Sequence, residues 1–114
     1  MGSVKKPFQA RQGDIFFQTV DQLPTGKLTP KSDAIFAHGE VTGHCHKAIS
    51  PNLSEMEMCT DEKGDIYVLS KNEDIKVWHD EHSVVTLPKN KWICISRQRE
   101  YDPLAESKQR RVLD

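Results

Sequence analysis

All five histidines of the chain fall in two short stretches of the sequence. Three lie in HGEVTGHCHK, residues 38–47, and two lie in WHDEH, residues 78–82. Imidazole nitrogens bind transition metals, and they also take up and release protons near neutral pH. The grouping therefore indicates a site built from two segments, in which the imidazoles hold a divalent metal or a substrate.

The first stretch places its polar residues on one face of an extended strand. Side chains alternate between the two faces of a β-strand, so one face carries Glu40, Thr42, His44 and His46. A His-x-His pair on one face directs two ring nitrogens toward a common point, which suits two positions of a metal site. Cys45 falls on the opposite face, and we interpret it as a buried thiol rather than a ligand.

The second stretch must reach the site differently, because His79 and His82 are three residues apart and cannot share one face of a straight strand. The sequence HDEH predicts a turn, in which His79 follows Ile75 and Val77 on an inward face and His82 begins the next strand. A tight turn still allows both rings to point the same way. Zinc, iron, manganese and nickel suit the resulting set of predicted ligands: His44, His46, His79, His82 and Glu40.

Three functions are compatible with these residues. A divalent metal with an open coordination position would activate water or dioxygen, or polarise a carbonyl. A metal-free histidine site would act by general acid–base chemistry, for example on a phosphodiester. A non-enzymatic binding or assembly module would use the histidines structurally or at a subunit contact, and its exposed strand edges would pair in a homo-oligomer. An incidental grouping stays open as well.

The segment SRQREY, residues 96–101, contains a second set of candidate binding residues. In a strand, Arg97, Arg99 and Tyr101 share one face. Two guanidinium groups at alternate positions can hold a carboxylate or a phosphate, which predicts a small anionic ligand. An exposed, charged strand end is an equally good interpretation of the same residues.

The elements that must position these residues are short β-rich stretches separated by turns. Their spacing of mostly eight to twelve residues is typical of all-β sandwiches and small barrels. The predicted strands are 14–20, 34–41, 46–50, 55–60, 65–70, 75–79, 82–87 and 91–101. We predict one all-β domain, a small β-barrel or a two-sheet sandwich. It spans residues 11–103, between a flexible N-terminal segment, 1–10, and a C-terminal tail, 104–114.

Composition limits the partners and the compartment. Sixteen Lys and Arg against seventeen Asp and Glu give a net charge of -1, so no strong field favours nucleic acid or an anionic membrane. Three scattered cysteines make a poor disulfide framework and indicate a reducing, cytoplasmic environment. The 114 residues contain no apolar run long enough to span a bilayer.

A glycine followed by His-x-His, and a later strand that ends in a proline turn, resemble the cupin superfamily of small β-barrels. The resemblance implies a barrel in which His-x-His and a later histidine hold a divalent metal. This chain departs from the pattern: KAISPN after His46 contains no glutamate, and Asn90 in LPKNKWI stands where cupins usually have glycine. The histidines that would have to complete the site, His79 and His82, precede that turn.

Four strings of this chain also resemble a small group of bacterial and phage proteins for which no activity is established. The strings are RQGDIFFQTV, AHGEVTGHCHK, HDEHSVVTLP and RQREYDP, and together they extend over about residues 11–103. GEVTGHxH is the most specific of the shared motifs. The resemblance implies a cupin-like fold with a histidine site and a bacterial, phage or prophage origin, and it implies no particular reaction.

Overall fold

Antiparallel β-strands form nearly all of the regular structure in the computed structural model, which describes residues 7–38 and 44–97. Within these residues there is one short 3₁₀ helix, Leu53–Glu55. The strands are β1 Gln9–Gln12, β2 Ile15–Val20, β3 Thr29–Pro30, β4 Ile35–His38, β5 Cys45–Ser50, β6 Met56–Thr60, β7 Ile66–Ser70, β8 Ile75–Trp78, β9 Val85–Leu87 and β10 Trp92–Arg97.

The strands form two sheets. One has six strands in the order β1-β2-β10-β7-β6-β3, and the other has four in the order β4-β5-β8-β9. Every paired ladder is antiparallel. The all-β prediction is confirmed, and the two-sheet sandwich is the alternative that the structure supports. Among the described residues, no ladder joins the two sheets into a closed barrel.

The core lies between the inward faces of the two sheets. In β2 and β10, alternate residues point inward, so that Phe17 and Ile95 face each other across the ladder and are almost completely buried. The core residues are Ile15, Phe17, Phe36, Met56, Ile66, Val68, Ile75, Val77, Leu87, Ile93 and Ile95. Burial of this apolar surface is the main favourable term in the folding of such a domain.

Two strands were not among the predicted ones. Strand β1 is polar, QARQ, and begins at Gln9, before the domain start predicted at residue 11, because Gln9 and Ala10 pair with β2. Strand β3 is two residues long and lies in a proline-rich loop. Strand β9 begins at Val85 rather than at His82. The predicted residues 39–41, 98–101 and 104–114 lie outside the described part of the chain.

Four segments meet at one end of the sandwich. These are the turn between β1 and β2, the beginning of β5, the loop between β8 and β9, and the end of β10. Gln12 of the six-stranded sheet donates a hydrogen bond to the carbonyl of Val77 in the four-stranded sheet, and Arg97 at the end of β10 contacts Asp14. All the residues considered next lie in these segments.

In the part of the chain that the structure describes, we find no helix with the length and apolar character needed to cross a membrane.

Candidate functional site

The structure brings together four of the predicted site residues, which we call the imidazole group: His44, His46, His79 and His82. The ring of His79 lies at the centre, with ring centroids 4.3 Å from His46, 4.7 Å from His82 and 5.9 Å from His44. The rings of His46 and His82 are nearly parallel at 6.3 Å. The two histidine-bearing stretches of the sequence therefore meet in space.

Strand alternation explains which of the rings are buried. His46 in β5 is 2% exposed, and His79, which follows β8, is 7% exposed. His79 continues the inward face of Ile75 and Val77, as the sequence predicted. His44 is half-buried just before β5, and His82 is exposed in the loop before β9. The group thus has a buried half and an outer half.

Gln12 fixes the protonation of the deepest ring. Its Nε2 donates to the carbonyl oxygens of Val77, at 3.0 Å, and Ser83, at 2.9 Å. Both amide hydrogens are thereby used, and Oε1, which can only accept, lies 2.7 Å from His46 Nδ1. His46 Nδ1 must therefore carry the hydrogen, and Nε2 keeps its lone pair.

Burial keeps His46 neutral. Loss of solvation, helped by the neighbouring ring of His79, lowers the pKa of His46 from 6.5 to about 4. The Asp14 carboxylate opposes this effect, since it favours the charged imidazolium. Its Oδ1 lies 3.9 Å from His46 Nε2, which is too far for a direct hydrogen bond. At neutral pH, His46 is consequently a base with a free lone pair.

His79 adopts the opposite tautomer. The backbone N–H of Glu81 donates to His79 Nδ1 at 3.0 Å, so Nδ1 carries no hydrogen. In the neutral ring the hydrogen then lies on Nε2, which becomes a donor. The two buried, adjacent rings therefore differ, because His46 offers an acceptor at Nε2 and His79 offers a donor at Nε2.

Neither of these Nε2 atoms has a hydrogen-bond partner among residues 7–38 and 44–97. Both rings are more than nine-tenths buried. Buried polar atoms are almost always paired with protein or water, and an unpaired one costs about 1–3 kcal/mol. Among the described residues, one ring thus has an unpaired acceptor and the adjacent ring an unpaired donor.

Acidic side chains surround the outer half of the group. His44 Nε2 lies 3.7 Å from Asp80 Oδ2, and His44 Nδ1 lies 3.8 Å from Glu81 Oε2. Both carboxylates belong to the loop that carries His79. They face His44 rather than the buried rings, and they place negative charge at the solvent side of the site.

Arg97, predicted to bind a substrate, contacts a carboxylate of the protein. Its Nη1 donates to Asp14 Oδ2 at 2.7 Å, and both side chains are about two-fifths exposed. The predicted partners Arg99 and Tyr101, and the predicted ligand Glu40, lie outside the described residues. Asp14 itself was missed in the sequence, since a Gly-Asp pair before a strand normally indicates a turn.

The turn that carries Asp14 approaches the imidazole group closely. Gly13 has φ +61°, and a Cβ atom at this position would lie 2.8 Å from His82 Nε2 and 3.5 Å from His46 Cε1. We expect Gly13→Ala to lower the free energy of unfolding by about 1–2 kcal/mol, because an L residue is strained in this region. It should also displace the ring of His82. Urea denaturation and the NMR shifts of the His82 ring measure the two effects.

Gly64→Ala is the matched control. Gly64 also has positive φ, +94°, but a Cβ atom added there would meet no other atom within 4 Å. This variant should lose stability through backbone strain alone and leave the His82 resonances unchanged. Equal shifts of the His82 ring in both variants would contradict a direct contact between Gly13 and His82.

The predicted ligand Glu40 lies outside the described side chains, so the metal site stays a prediction. Among them, no group of three or more His, Cys, Asp or Glu residues is placed to hold an ion. In the neutral ring of His79, Nδ1 accepts a backbone hydrogen bond and the hydrogen lies on Nε2. His46 Nε2, with Asp14 Oδ1 opposite, is the nitrogen whose lone pair the hydrogen bonds leave open.

Comparison with known proteins gives a family and no function. Residues 11–98, more than half of the chain, match the family model described as "Domain of unknown function (DUF8820)". No curated protein and no solved structure is significantly similar to the chain. The matched range includes the four residues on which the site depends most: Gln12, Asp14, His46 and His79.

Proposed function

The chain belongs to the DUF8820 family, and we propose that its site is a metal-free histidine acid–base site in which His46 and His79 bind a small protic ligand. The observation that carries this proposal is the pair of unpaired Nε2 atoms with opposite hydrogen-bonding character. A ligand that both donates and accepts, such as an alcohol or an amide, has the hydrogen-bonding groups that these two atoms lack.

The opposite tautomers also suit proton transfer. His46 Nε2 can accept a proton from a bound group, while His79 Nε2–H donates a hydrogen bond that stabilises negative charge developing on that group. Gln12 holds the first ring and the Glu81 backbone holds the second. Neither tautomer therefore depends on solvent, and these two contacts support His46 as the acceptor and His79 as the donor.

The test is an NMR experiment on chelator-treated protein with ¹⁵N-labelled histidine. At pH 7.5 we expect a protonated Nδ1 on His46 and a protonated Nε2 on His79. A set of small alcohols, amides and amines should contain compounds that shift both Nε2 resonances. His46→Gln should abolish these shifts, whereas the control His44→Gln should retain them. The proposal fails if both tautomers are reversed, or if no protic compound shifts the two rings.

A divalent metal is the second candidate, because one observation favours it. His46 Nε2 and Asp14 Oδ1 face each other at 3.9 Å with no hydrogen between them, which suits a cation. Gln12 accepts the other ring N–H of His46, a contact that commonly orients metal-binding histidines. The exposed ring of His82, 6.3 Å from that of His46, is the described imidazole with most freedom to turn toward the ion.

Elemental analysis separates the two candidates. Purified protein and the variants His46→Ala and Asp14→Ala are analysed after soaking with zinc, iron, manganese or nickel. About one equivalent of metal in the parent, and none in either variant, would support the metal site over the metal-free one. If the parent holds no metal but its imidazoles respond to protic compounds, the acid–base site stands and the metal site is excluded.

A further inference from the structure

The described side chains around the imidazole group carry an excess of carboxylates. Three carboxylates, those of Asp14, Asp80 and Glu81, lie within 4 Å of an imidazole nitrogen. The positive side chain that contacts them, Arg97, is bound to Asp14. Apart from the imidazoles, three negative groups thus stand against one positive group, and this field attracts cations.

Two acceptors face each other inside this field. The Gln12 hydrogen bond leaves His46 Nε2 without a hydrogen, and Asp14 Oδ1 is a carboxylate oxygen 3.9 Å away. Arg97 holds Oδ2 of the same carboxylate at 2.7 Å, which leaves Oδ1 toward the ring. One donor atom can lie within about 2.8–3.0 Å of both acceptors at this separation.

We propose that a protonated primary amine occupies the gap between His46 Nε2 and Asp14 Oδ1, and that an oxygen of the same ligand accepts from His79 Nε2–H. An ammonium group has three donors and can serve both acceptors. The Asp14 carboxylate supplies the negative charge that faces the ammonium group. This ligand class rests on the acid–base site proposed above and specifies what that site binds.

An anion is disfavoured at the same place. It would meet the lone pair of His46 and the carboxylate of Asp14, and like charges so close destabilise the complex. The positive charge of Arg97 at this place is already paired with the Asp14 carboxylate at 2.7 Å. A single hydroxyl is also a poorer match, since it donates one hydrogen and leaves one of the two acceptors unpaired.

The experiment compares three small probes that share a hydroxymethyl group and differ in the other end. Ethanolamine carries an ammonium, ethylene glycol a hydroxyl and glycolate a carboxylate. Each is titrated into the chelator-treated full chain at pH 7.5 and constant ionic strength, with the His46 and His79 ring nitrogens followed by NMR. We expect ethanolamine to bind at least about tenfold more tightly than ethylene glycol, given the strength of charge-assisted hydrogen bonds, and glycolate to leave the rings unchanged.

Asp14→Asn and Glu81→Gln form a matched pair of variants. Each removes one carboxylate charge near the group, but Asp14 faces His46 and Glu81 faces His44. Asp14→Asn should weaken ethanolamine binding at least about tenfold and leave ethylene glycol unaffected, whereas Glu81→Gln should change little. Equal losses of ethanolamine affinity in the two variants would show that only the overall negative charge matters. They would contradict a direct contact between the amine and Asp14.

The probes also separate failure of the ligand class from failure of the site. If ethylene glycol binds as well as ethanolamine, or glycolate binds best, the amine is wrong and the acid–base site survives. If none of the three probes shifts the ring resonances, no small amine binds in the gap, and the proposed ligand class is excluded. The acid–base site fails only if no compound of the wider protic set shifts the ring resonances of His46 and His79 either.

Discussion

Gln12→Met is expected to lower the free energy of unfolding by about 3–5 kcal/mol, because it removes a buried polar hub and leaves its partners unpaired. Gln12 is 2% exposed and makes hydrogen bonds to His46, Val77 and Ser83. Methionine has a similar shape and keeps the packing, so the loss reports the hydrogen bonds. Urea denaturation of parent and variant measures it.

The size of this effect follows from where the bonds lie. Gln12 is in the edge strand of the six-stranded sheet, while Val77 and His46 are in the four-stranded sheet. The side-chain amide of Gln12 therefore links the two sheets through hydrogen bonds at the site. A buried group that loses its partner costs about 1–3 kcal/mol, and three partners lose one hydrogen bond each. The Ser83 carbonyl is only partly buried and recovers some of its loss from water.

Two further variants make this prediction specific. Gln9→Met changes the same residue type in the same strand, but Gln9 is exposed, and we expect a change within about 0.5 kcal/mol. Gln12→Glu keeps the shape but removes both amide donors, and it should be at least as harmful as Gln12→Met. A loss below about 1 kcal/mol in Gln12→Met would show that the polar hub is not important for stability.

The elements and the faces of the site were predictable from local pattern. A period of two assigns a face to every residue of a strand; it placed His79 inward with Ile75 and Val77, and it placed His46 and Cys45 on opposite faces, of which the structure buries the His46 side. His82 was placed at the start of a strand, but the loop extends to Val85. Strand β8 ends at Trp78, before the predicted end at His79. The chain then turns so that the backbone N–H of Glu81 contacts the His79 ring.

The residues that decide the chemistry were not predictable in this way. Gln12 and Asp14 are more than thirty positions before His46, and neither a polar edge strand nor a Gly-Asp turn indicates such a contact. Sequence also treats all imidazoles as equivalent. The structure distinguishes them by which ring nitrogen each neighbouring group contacts, and in the neutral ring of His79 this leaves a donor at Nε2.

Acidification from pH 6.5 to pH 4 is expected to reduce the free energy of unfolding by up to about 3 kcal/mol through His46 alone, since each pKa unit corresponds to about 1.4 kcal/mol. The folded-state pKa of His46 is lowered from 6.5 to about 4. Between these values the unfolded chain binds a proton that the folded chain does not, so falling pH favours unfolding. This contribution levels off about one pH unit above 6.5 and about one unit below 4.

The measurement is a series of urea denaturations between pH 7.5 and 4.5 in the presence of a chelator. Carboxylates also begin to titrate at the acidic end, so the quantity of interest is the difference between the parent and His46→Gln, which lacks the group. The parent should show the steeper loss of stability. His82→Gln, which removes an exposed imidazole instead, should behave like the parent. If the slopes of the parent and His46→Gln coincide, His46 is not held neutral by burial, and the base assigned to the site is wrong.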